Sequence, residues 1–344
     1  MTQSSTQKDE RVKNAGLLMR VLRRPEFGAL LGAAAIFILF ASTDTTGNFA
    51  APGGIAGWTD IAAPIGIVGI AVALLMIAGE FDLSTGVMVG SVGLLTGLMI
   101  TEIGLPVWPS IFLAMLFAAI VGFVNGYVVV KTKLPSFIVT LATFFVLKGA
   151  NMAFTKMVTG AVRVTGLDKG EGFESAEAIF ASKVGDFQIS LFWWIGLTIV
   201  ATFVLTRTRF GNWIYAAGGD ANAARNAGVP VDFTKITLFV VTAMAAALVG
   251  VMFVLRLKGM QAGQGVGQEF YYIIAAAVGG TLLTGGAGSA VGASIGALIM
   301  GMAYIGIPYS RWDSDWTSTF LGIILFTAVM INTYISRKAR GGKK

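Results

Sequence analysis

The sequence predicts an all-α protein, a polytopic membrane helical bundle of about ten transmembrane segments, some of them Gly-rich and broken or re-entrant. Composition is the first observation, because 55% of the 344 residues are hydrophobic and only 12% are charged, whereas roughly a quarter of a soluble domain is charged. The mean hydropathy of +0.77 is the second. The third is that apolar runs of ~20 residues, enough to cross a ~30 Å hydrocarbon layer, recur along the whole chain.

Ten apolar runs are the candidate spans, and they fill a transmembrane domain of residues 27–335. A basic segment, residues 1–26, precedes this domain and lacks the apolar core of a cleavable signal peptide. A basic tail, residues 336–344, follows it. The first, eighth and ninth runs are short or rich in glycine, which favours tilted, broken or shielded segments. The runs cover residues 27–43, 58–79, 83–103, 107–130, 136–154, 190–206, 233–255, 270–283, 291–307 and 316–335.

The distribution of basic residues orients the bundle. With the amino terminus in the cytoplasm, 17 of the 25 lysines and arginines fall in inside segments and seven fall in outside segments. The positive-inside rule therefore predicts that both termini are cytoplasmic. It also attributes the net charge of +7 to topology and lipid-headgroup contacts rather than to nucleic-acid binding. Lys148 lies late in the fifth predicted span, and we expect its side chain to snorkel to the outer surface.

A short turn at residues 80–82 joins the second and third runs and has no basic residue. The two runs are therefore either two full spans or a hairpin that enters and leaves from one side. Ser84 suits a helix N-cap, and Asp82 suits the positive end of a helix dipole, which is a structural role. If the hairpin is buried, Asp82, Ser84 and Asn125 in the fourth run are instead candidates for a polar pathway through the membrane.

Two glycine stripes follow helical spacing. Small residues let helix backbones approach closely in lipid, so each stripe predicts a helix-packing seam. The alternative is that one seam lines a cavity and slides. The first stripe is Gly86, Gly90, Gly93 and Gly97, and the second is Gly288, Gly292 and Gly296.

Two long polar loops are predicted on opposite sides of the membrane. The outside loop, residues 155–189, either caps the bundle passively or receives a partner. In the inside loop, residues 207–232, Asp220 is placed to cap a short helix over residues 221–227, and Gly228 to end it. Such a helix is exposed and has too little apolar surface to fold alone. It is therefore either docked in a partner or a simple connector.

The 344 residues contain no histidine, no cysteine and no Walker A phosphate-binding pattern. Histidine-based proton relays, Ser-His-Asp catalysis and thiolate metal sites are excluded, and we expect no catalytic, cofactor or metal site in this chain. The acidic residues lie almost entirely in loops, whereas an ion-coupled pump needs carboxylates within its spans. If the chain moves a solute actively, a separate polypeptide supplies the energy.

Four stretches resemble the ribose, xylose and arabinose permeases of bacterial ATP-binding-cassette importers. They occur in the family's order and are spread over most of the chain. Glu80 and Phe81 depart from the pattern, because the family often has Gly and Ile there. The stretches are GEFDLSTG at residues 79–86, GGDANAARNAGV at 218–229, GGTLLTGGAGSAVGASIGA at 279–297 and, more weakly, PSFIVTLAT at 135–143.

The resemblance implies a multi-pass permease of the bacterial inner membrane that imports a monosaccharide or a similar small polar solute. It implies three protein partners: a cytoplasmic ATPase that binds the ATP, an extracytoplasmic solute-binding protein and a second permease copy. A related permease for amino acids or nucleosides, a secondary transporter and a structural scaffold are the alternatives. The resemblance also assigns part of the inside loop to ATPase coupling, namely Gly219, Asp220, Ala224, Arg225 and Gly228.

Overall fold

The computed structural model describes residues 25–341, with side chains for residues 26–330, and the all-α prediction is confirmed. Most of the predicted amino-terminal basic segment and the last tail residues lie outside the described residues. The helices are α1 Pro25–Thr43, α2 Pro52–Ile77, α3 Thr85–Thr101, α4 Val107–Thr132, α5 Ser136–Thr159, α6 Phe173–Phe180, α7 Ile189–Arg207, α8 Arg209–Gly219, α9 Ala221–Asn226, α10 Val231–Leu257, α11 Gln268–Val278, α12 Ala290–Tyr309 and α13 Trp316–Gly341. Two antiparallel pairs of short strands join β1 (Arg163–Thr165) to β4 (Gly259–Gln261) and β2 (Lys183–Val184) to β3 (Phe187–Gln188).

Seven of the described helices are long and apolar enough to cross a membrane, namely α1, α2, α4, α5, α7, α10 and α12. Helix α3 and the described apolar part of α13, Trp316–Met330, are shorter. The eighth predicted run became α11, which has only 11 residues. At 1.5 Å per residue that helix is ~16 Å long, about half of the hydrocarbon layer. The first, eighth and ninth runs were expected to be tilted, broken or shielded. Only the eighth forms a half-length helix, whereas the first and ninth form the continuous helices α1 and α12, of 19 and 20 residues.

The chain reaches α11 through a non-helical segment, residues 259–267, that lies along the first glycine stripe. A Cβ added to Gly90 would overlap the backbone of Gln264, and one added to Gly86 would lie 2.6 Å from the carbonyl oxygen of Gly265. One added to Gly97 would lie 3.0 Å from Val164 of β1. The stripe is therefore mainly a groove for non-helical backbone, and the predicted seam between helices is confirmed only at Gly93, where an added Cβ would lie 3.3 Å from the Gly250 carbonyl of α10. Irregular backbone at membrane depth is tolerated where protein covers it.

The second glycine stripe packs α11 against α12. Added side chains at Gly292 and Gly296 would overlap the backbone carbonyls of Gly279 and Ala275. Gly288 does not lie on α12, because Ser289 begins that helix by accepting a hydrogen bond from Gly292 N at 3.0 Å. It lies instead in the turn before α12, where its missing side chain leaves room for the side chains of Thr281 and Ile77.

A folded cap, residues 160–188, covers one face of the bundle. The pairing of β1 with β4 places this cap beside the end of α10. Helix α6 is part of the cap, and its residues Phe173 and Ala176 are buried. The predicted outside loop began too early, because α5 continues to Thr159. This corrects the expectation for Lys148, which lies near the middle of α5 and ~16 Å along the helix from Thr159. A lysine side chain is too short to snorkel over that distance.

Helix α2 lies at the centre of the bundle, where nearly all of its side chains are buried. It packs against α7, α10, α11 and α12. The helices at the periphery present large apolar side chains outward, including Phe112, Val146 and Ile199, which are 67%, 68% and 65% exposed. An exposed surface of this kind is compatible with lipid but not with water.

We expect Gly90→Ala to lower the stability of the protein in detergent by roughly 1–3 kcal/mol, the usual cost of overpacking. The added methyl group would overlap the Gln264 carbonyl, which is backbone and cannot rotate away. The measurement is the thermal unfolding midpoint of the purified protein. Gly196→Ala is the matched control, because Gly196 lies within α7 and has nothing within 4 Å of an added Cβ. Equal midpoints for the two variants would contradict the close packing on α3.

Candidate functional site

The turn between α2 and α3, residues 78–84, is held by hydroxyl groups of α5. Phe81 N donates to Ser136 Oγ at 3.0 Å, and Leu83 N donates to Thr140 Oγ1 at 3.1 Å. Backbone N–H groups in such a turn have no helical partner and must be satisfied when they are buried. Helix α5 therefore acts as a template that fixes where α3 begins.

The same turn contains a buried polar network that brings together Asp82, Ser84 and Asn125. The Asp82 carboxylate accepts from Ser84 N at 2.8 Å and from Ser84 Oγ at 2.6 Å. Asn125 Nδ2 donates to Ser84 Oγ at 3.2 Å, and Asn125 Oδ1 accepts from Thr143 Oγ1 at 2.6 Å. Thr242 of α10 donates to the second Asp82 oxygen at 3.4 Å. The network therefore joins the turn to α4, α5 and α10.

This geometry supports a structural role for the three predicted residues more than a place on an open pathway. Asp82, Ser84 and Asn125 are only 1%, 2% and 1% exposed. Ser84 occupies the predicted N-cap position, directly before α3, but makes no capping hydrogen bond with its side chain, because its hydroxyl is used by Asp82 and Asn125. Within the described part of the chain, no group of three acidic residues lies together in a way that suits a metal ion.

Glu80, which departs from the family pattern, forms a charge pair with Lys235 near the start of α10. Their side chains are 13% and 14% exposed, so the pair is largely shielded from water. The two residues are 155 positions apart, and no local pattern in the sequence connects them. The pair ties the α2–α3 turn to the helix that follows the inside loop.

The predicted inside loop folds as two helices, α8 and α9. Thr208 caps α8 by accepting from Gly211 N at 3.2 Å. Asp220 caps α9, as its sequence predicts, by accepting from the backbone N–H groups of Asn222 and Ala223 at 2.9 and 3.0 Å. Gly228 follows α9 with a φ of +82°, a conformation that glycine adopts without strain. We refer to residues 208–230 as the α8–α9 segment.

The outer surface of the α8–α9 segment is open. Of the five residues that the resemblance assigns there, Ala224 is buried against Ala217 and Val231, whereas Gly219, Asp220, Arg225 and Gly228 are exposed. Arg225 Nη2 pairs with an oxygen of Asp232 at 2.7 Å, and both side chains are about half exposed. An exposed pair of this kind contributes little to stability.

The inner surface of the α8–α9 segment meets two other turns at what we call the glycine junction, which consists of Gly79, Gly218, Gly285 and Gly286. A Cβ added to Gly218 would overlap the carbonyl of Ile77 and lie 2.8 Å from Gly286 N. Gly286 N donates to that same Ile77 carbonyl at 2.8 Å. Gly285 and Gly286 have φ values of +79° and +76°, which a side chain would strain.

A side chain adds a further link beside the glycine junction. The Tyr215 hydroxyl of α8 donates to the carbonyl of Gly288 at 2.9 Å. The end of α8 is thus in contact with the turn that begins α3 and with the turn that joins α11 to α12. Because backbone touches backbone there, little flexible side-chain material separates the three segments. The end of α8, the turn before α3 and the turn after α11 are therefore in direct backbone contact.

Three of the stretches that carry the family resemblance meet at the glycine junction, although they are distant in sequence. The fourth and weakest stretch, residues 135–143, supplies Ser136, Thr140 and Thr143 to the turn. Sequence reasoning did not identify these hydroxyls or Lys235. The spacing of the hydroxyls by four and three positions on one helix face was a usable signal, whereas nothing local pointed to Lys235.

Comparisons with known proteins find similarity to membrane permeases. A protein family described as "Branched-chain amino acid transport system / permease component" matches residues 54–329. The fructose import permease of Rhizobium meliloti is 29% identical over 283 residues, which is 80% of this chain and 76% of the relative. The ribose import permease of Haemophilus influenzae is 29% identical and covers 79% of this chain and 82% of the relative. The xylose transport system permease of Escherichia coli K12 is 25% identical over 90% and 92% of the two chains.

We expect Lys235→Ala to destabilise the protein by on the order of 2 kcal/mol, because it leaves the shielded Glu80 carboxylate without its partner. The exchanged pair Glu80→Lys with Lys235→Glu restores opposite charges at the same place and should recover most of the loss. The measurement is the thermal unfolding midpoint of the exchanged variant and of its two single components, Glu80→Lys and Lys235→Glu, beside Lys235→Ala. An exchanged variant no more stable than the single variants would show that the pair is not a specific contact.

Proposed function

This chain belongs to the family of branched-chain amino acid transport system permease components, and from that premise we propose that it is the membrane subunit of an ATP-driven sugar importer. The proposed cargo is a monosaccharide or a similar small polar solute, which is carried into the cytoplasm. The family description mentions amino acids, whereas the relatives reported above are permeases for fructose, ribose and xylose. The sugar assignment rests on those relatives, and a permease for amino acids or nucleosides is the second candidate.

The α8–α9 segment is the proposed docking site for a separate ATPase. Helix α9 has six residues, of which only Ala224 is buried. A helix this short has little stability of its own, so the exposed remainder suits a cleft on a partner. The observation that carries the proposal is the glycine junction, because it connects this exposed helix by backbone contact to both α3 and α11.

The remaining partners and the orientation follow from the same scheme. The excess of basic residues on the side of the α8–α9 segment favours the cytoplasm there, with both termini on that side of a bacterial inner membrane. The cap on the opposite face then receives an extracytoplasmic solute-binding protein. A second copy of the permease completes the membrane unit. ATP is bound by the ATPase and not by this chain.

Transport in this scheme is alternating access driven from the cytoplasmic side. When ATP closes the ATPase, the α8–α9 segment moves and displaces the two turns at the glycine junction. Helix α3, tethered at its start by Asp82 and Glu80, shifts together with α11 and the non-helical segment 259–267. Two rigid elements that share one contact surface can switch together without a continuous deformation of the bundle.

Reconstitution into liposomes tests the proposal. The permease would be purified with whatever ATPase accompanies it from its native membrane. It would then be supplied with ATP and with radiolabelled ribose, fructose, xylose and leucine, each with its binding protein. We expect ATP-dependent accumulation of at least one sugar and stimulation of the ATPase by the loaded binding protein. Accumulation of leucine instead would select the second candidate. Solute movement by the permease alone, without ATP, would overturn the ATP-driven mechanism.

The glycine junction gives a second prediction with a control outside the α8–α9 segment. In Gly218→Ala the added methyl group would overlap the Ile77 carbonyl, whereas in Gly196→Ala, on α7, it would meet nothing within 4 Å. We expect both variants to retain the ATPase, but Gly218→Ala to lower sugar uptake per ATP hydrolysed by roughly tenfold, within the range of coupling energies between distant sites. Gly196→Ala should remain at the wild-type ratio. Equal ratios in the two variants would contradict transmission through the glycine junction.

A further inference from the structure

Lys148 is a charged residue at the middle of a membrane-spanning helix. It is 12 positions after Ser136 and 11 before Thr159, so ~16–18 Å of helix separates it from either end of α5. Its side chain is exposed on the surface of the single chain. Within the described residues, its ammonium group makes no ion pair or hydrogen bond and lies over the ring of Phe144 at 5.8 Å.

A lysine in this position is incompatible with a surface that faces lipid. Ionisable residues within membrane spans face the interior of the assembly or a water-filled space, because an unpaired charge in hydrocarbon is costly. Neither end of α5 is within reach of the side chain. We therefore expect water and protein, not hydrocarbon, to cover the side of α5 that carries Lys148. Val146, two positions away on the opposite side of α5 and 68% exposed, is an ordinary lipid-facing residue by comparison.

Two further polar groups, Asn151 and Glu269, border the glycine groove of α3. Asn151, one turn further along α5, is 9% exposed, and its Nδ2 atom is buried without a hydrogen-bond partner. This amide lies 3.8 Å from the position of a Cβ added to Gly90, in the glycine groove of α3. Glu269, in the first turn of α11, packs against Gly86, one helical turn from Gly90 in the same groove. Its carboxylate accepts hydrogen bonds from Gly267 N at 3.0 and 3.2 Å.

These groups lie where the moving parts of the bundle meet. Glu269 begins the half-length helix α11 and packs against Gly86, while Asn151 packs against Gly90, so both border the groove occupied by residues 259–267. An unpartnered buried amide is costly to maintain, and nothing in its surroundings uses it. An ammonium group, an amide and a carboxylate together offer hydrogen-bond donors and acceptors with no net charge. Sugar hydroxyls, which both donate and accept, match that set.

We propose that Lys148, Asn151 and Glu269 form a solute-contact site at the middle of the translocation pathway, suited to an uncharged polyhydroxylated solute. This proposal rests on the proposed function, since the water-filled space beside Lys148 is closed on its far side by the second permease copy. Asn151 and Glu269 are only 9% and 3% exposed, so they meet the solute when α3 and α11 move apart. Lys148 and Asn151 then donate hydrogen bonds to the passing hydroxyl groups, and Glu269 accepts them. The Asp82 network differs, because its polar groups are already paired with one another, whereas Asn151 Nδ2 has no partner. The site holds the solute weakly, since a pathway must also release what it binds.

The absence of cysteine from the sequence allows a direct test, because every introduced thiol is the only one in the chain. Lys148→Cys and the control Val146→Cys would be reconstituted and treated from each side with a charged, membrane-impermeant methanethiosulfonate reagent, with and without ATP. We expect Lys148→Cys to be modified from at least one side and Val146→Cys to remain unmodified. Failure to modify Lys148→Cys under every condition, or equal modification of the two variants, would overturn the proposal.

A charge series on the complete importer provides the second readout. We expect Lys148→Arg to keep most of the uptake and Lys148→Met to lower it several-fold, with membrane level and thermal unfolding midpoint unchanged. Were Lys148 to face lipid, Lys148→Met would raise the midpoint and leave uptake intact, which would overturn the proposal. The thiol experiment needs no transported sugar. A wild-type chain that moves no sugar would therefore count against the proposed function alone, and thiol accessibility would still decide the fate of this site.

Discussion

Close backbone approach at glycine is the constraint on which this structure depends. The groove of α3 admits residues 259–267 only because Gly86, Gly90 and Gly93 have no side chains. That groove in turn allows the chain to cross part of the membrane without helical hydrogen bonds, since protein rather than lipid covers the irregular backbone. The half-length helix α11 and its hairpin with α12 follow from this arrangement.

The same constraint organises the side of the bundle where the α8–α9 segment lies. At the glycine junction, three turns from distant parts of the chain meet through backbone atoms, and the Ile77 carbonyl is shared between two of them. The polar network around Asp82 and the pair of Glu80 with Lys235 then fix the start of α3 against α4, α5 and α10. These contacts hold one end of α3, and the glycine groove runs along its length.

The family comparison acquires a physical meaning in this geometry. The stretches by which the sequence resembles sugar permeases are not separate motifs, because they form the contacts of a single junction and its supporting turn. Glu80 illustrates how a departure is accommodated, since its carboxylate is balanced by Lys235, which the structure places beside it. Pairing of this kind permits a charge where the family often has glycine, without an unpaired group in the protein interior.

The sequence by itself determined the all-α membrane bundle, most helix positions, the glycine stripes and the caps at Asp220 and Gly228, because hydropathy, spacing and capping are local properties. Tertiary structure alone decided that one stripe receives non-helical backbone, that Gly288 lies outside α12 and that α5 extends to Thr159. It also decided which hydroxyls hold the turn, and that Lys148 lies near the middle of a helix long enough to cross a membrane. These features depend on contacts between segments far apart in the chain, and in lipid such contacts are selected by shape and hydrogen bonding rather than by hydrophobicity.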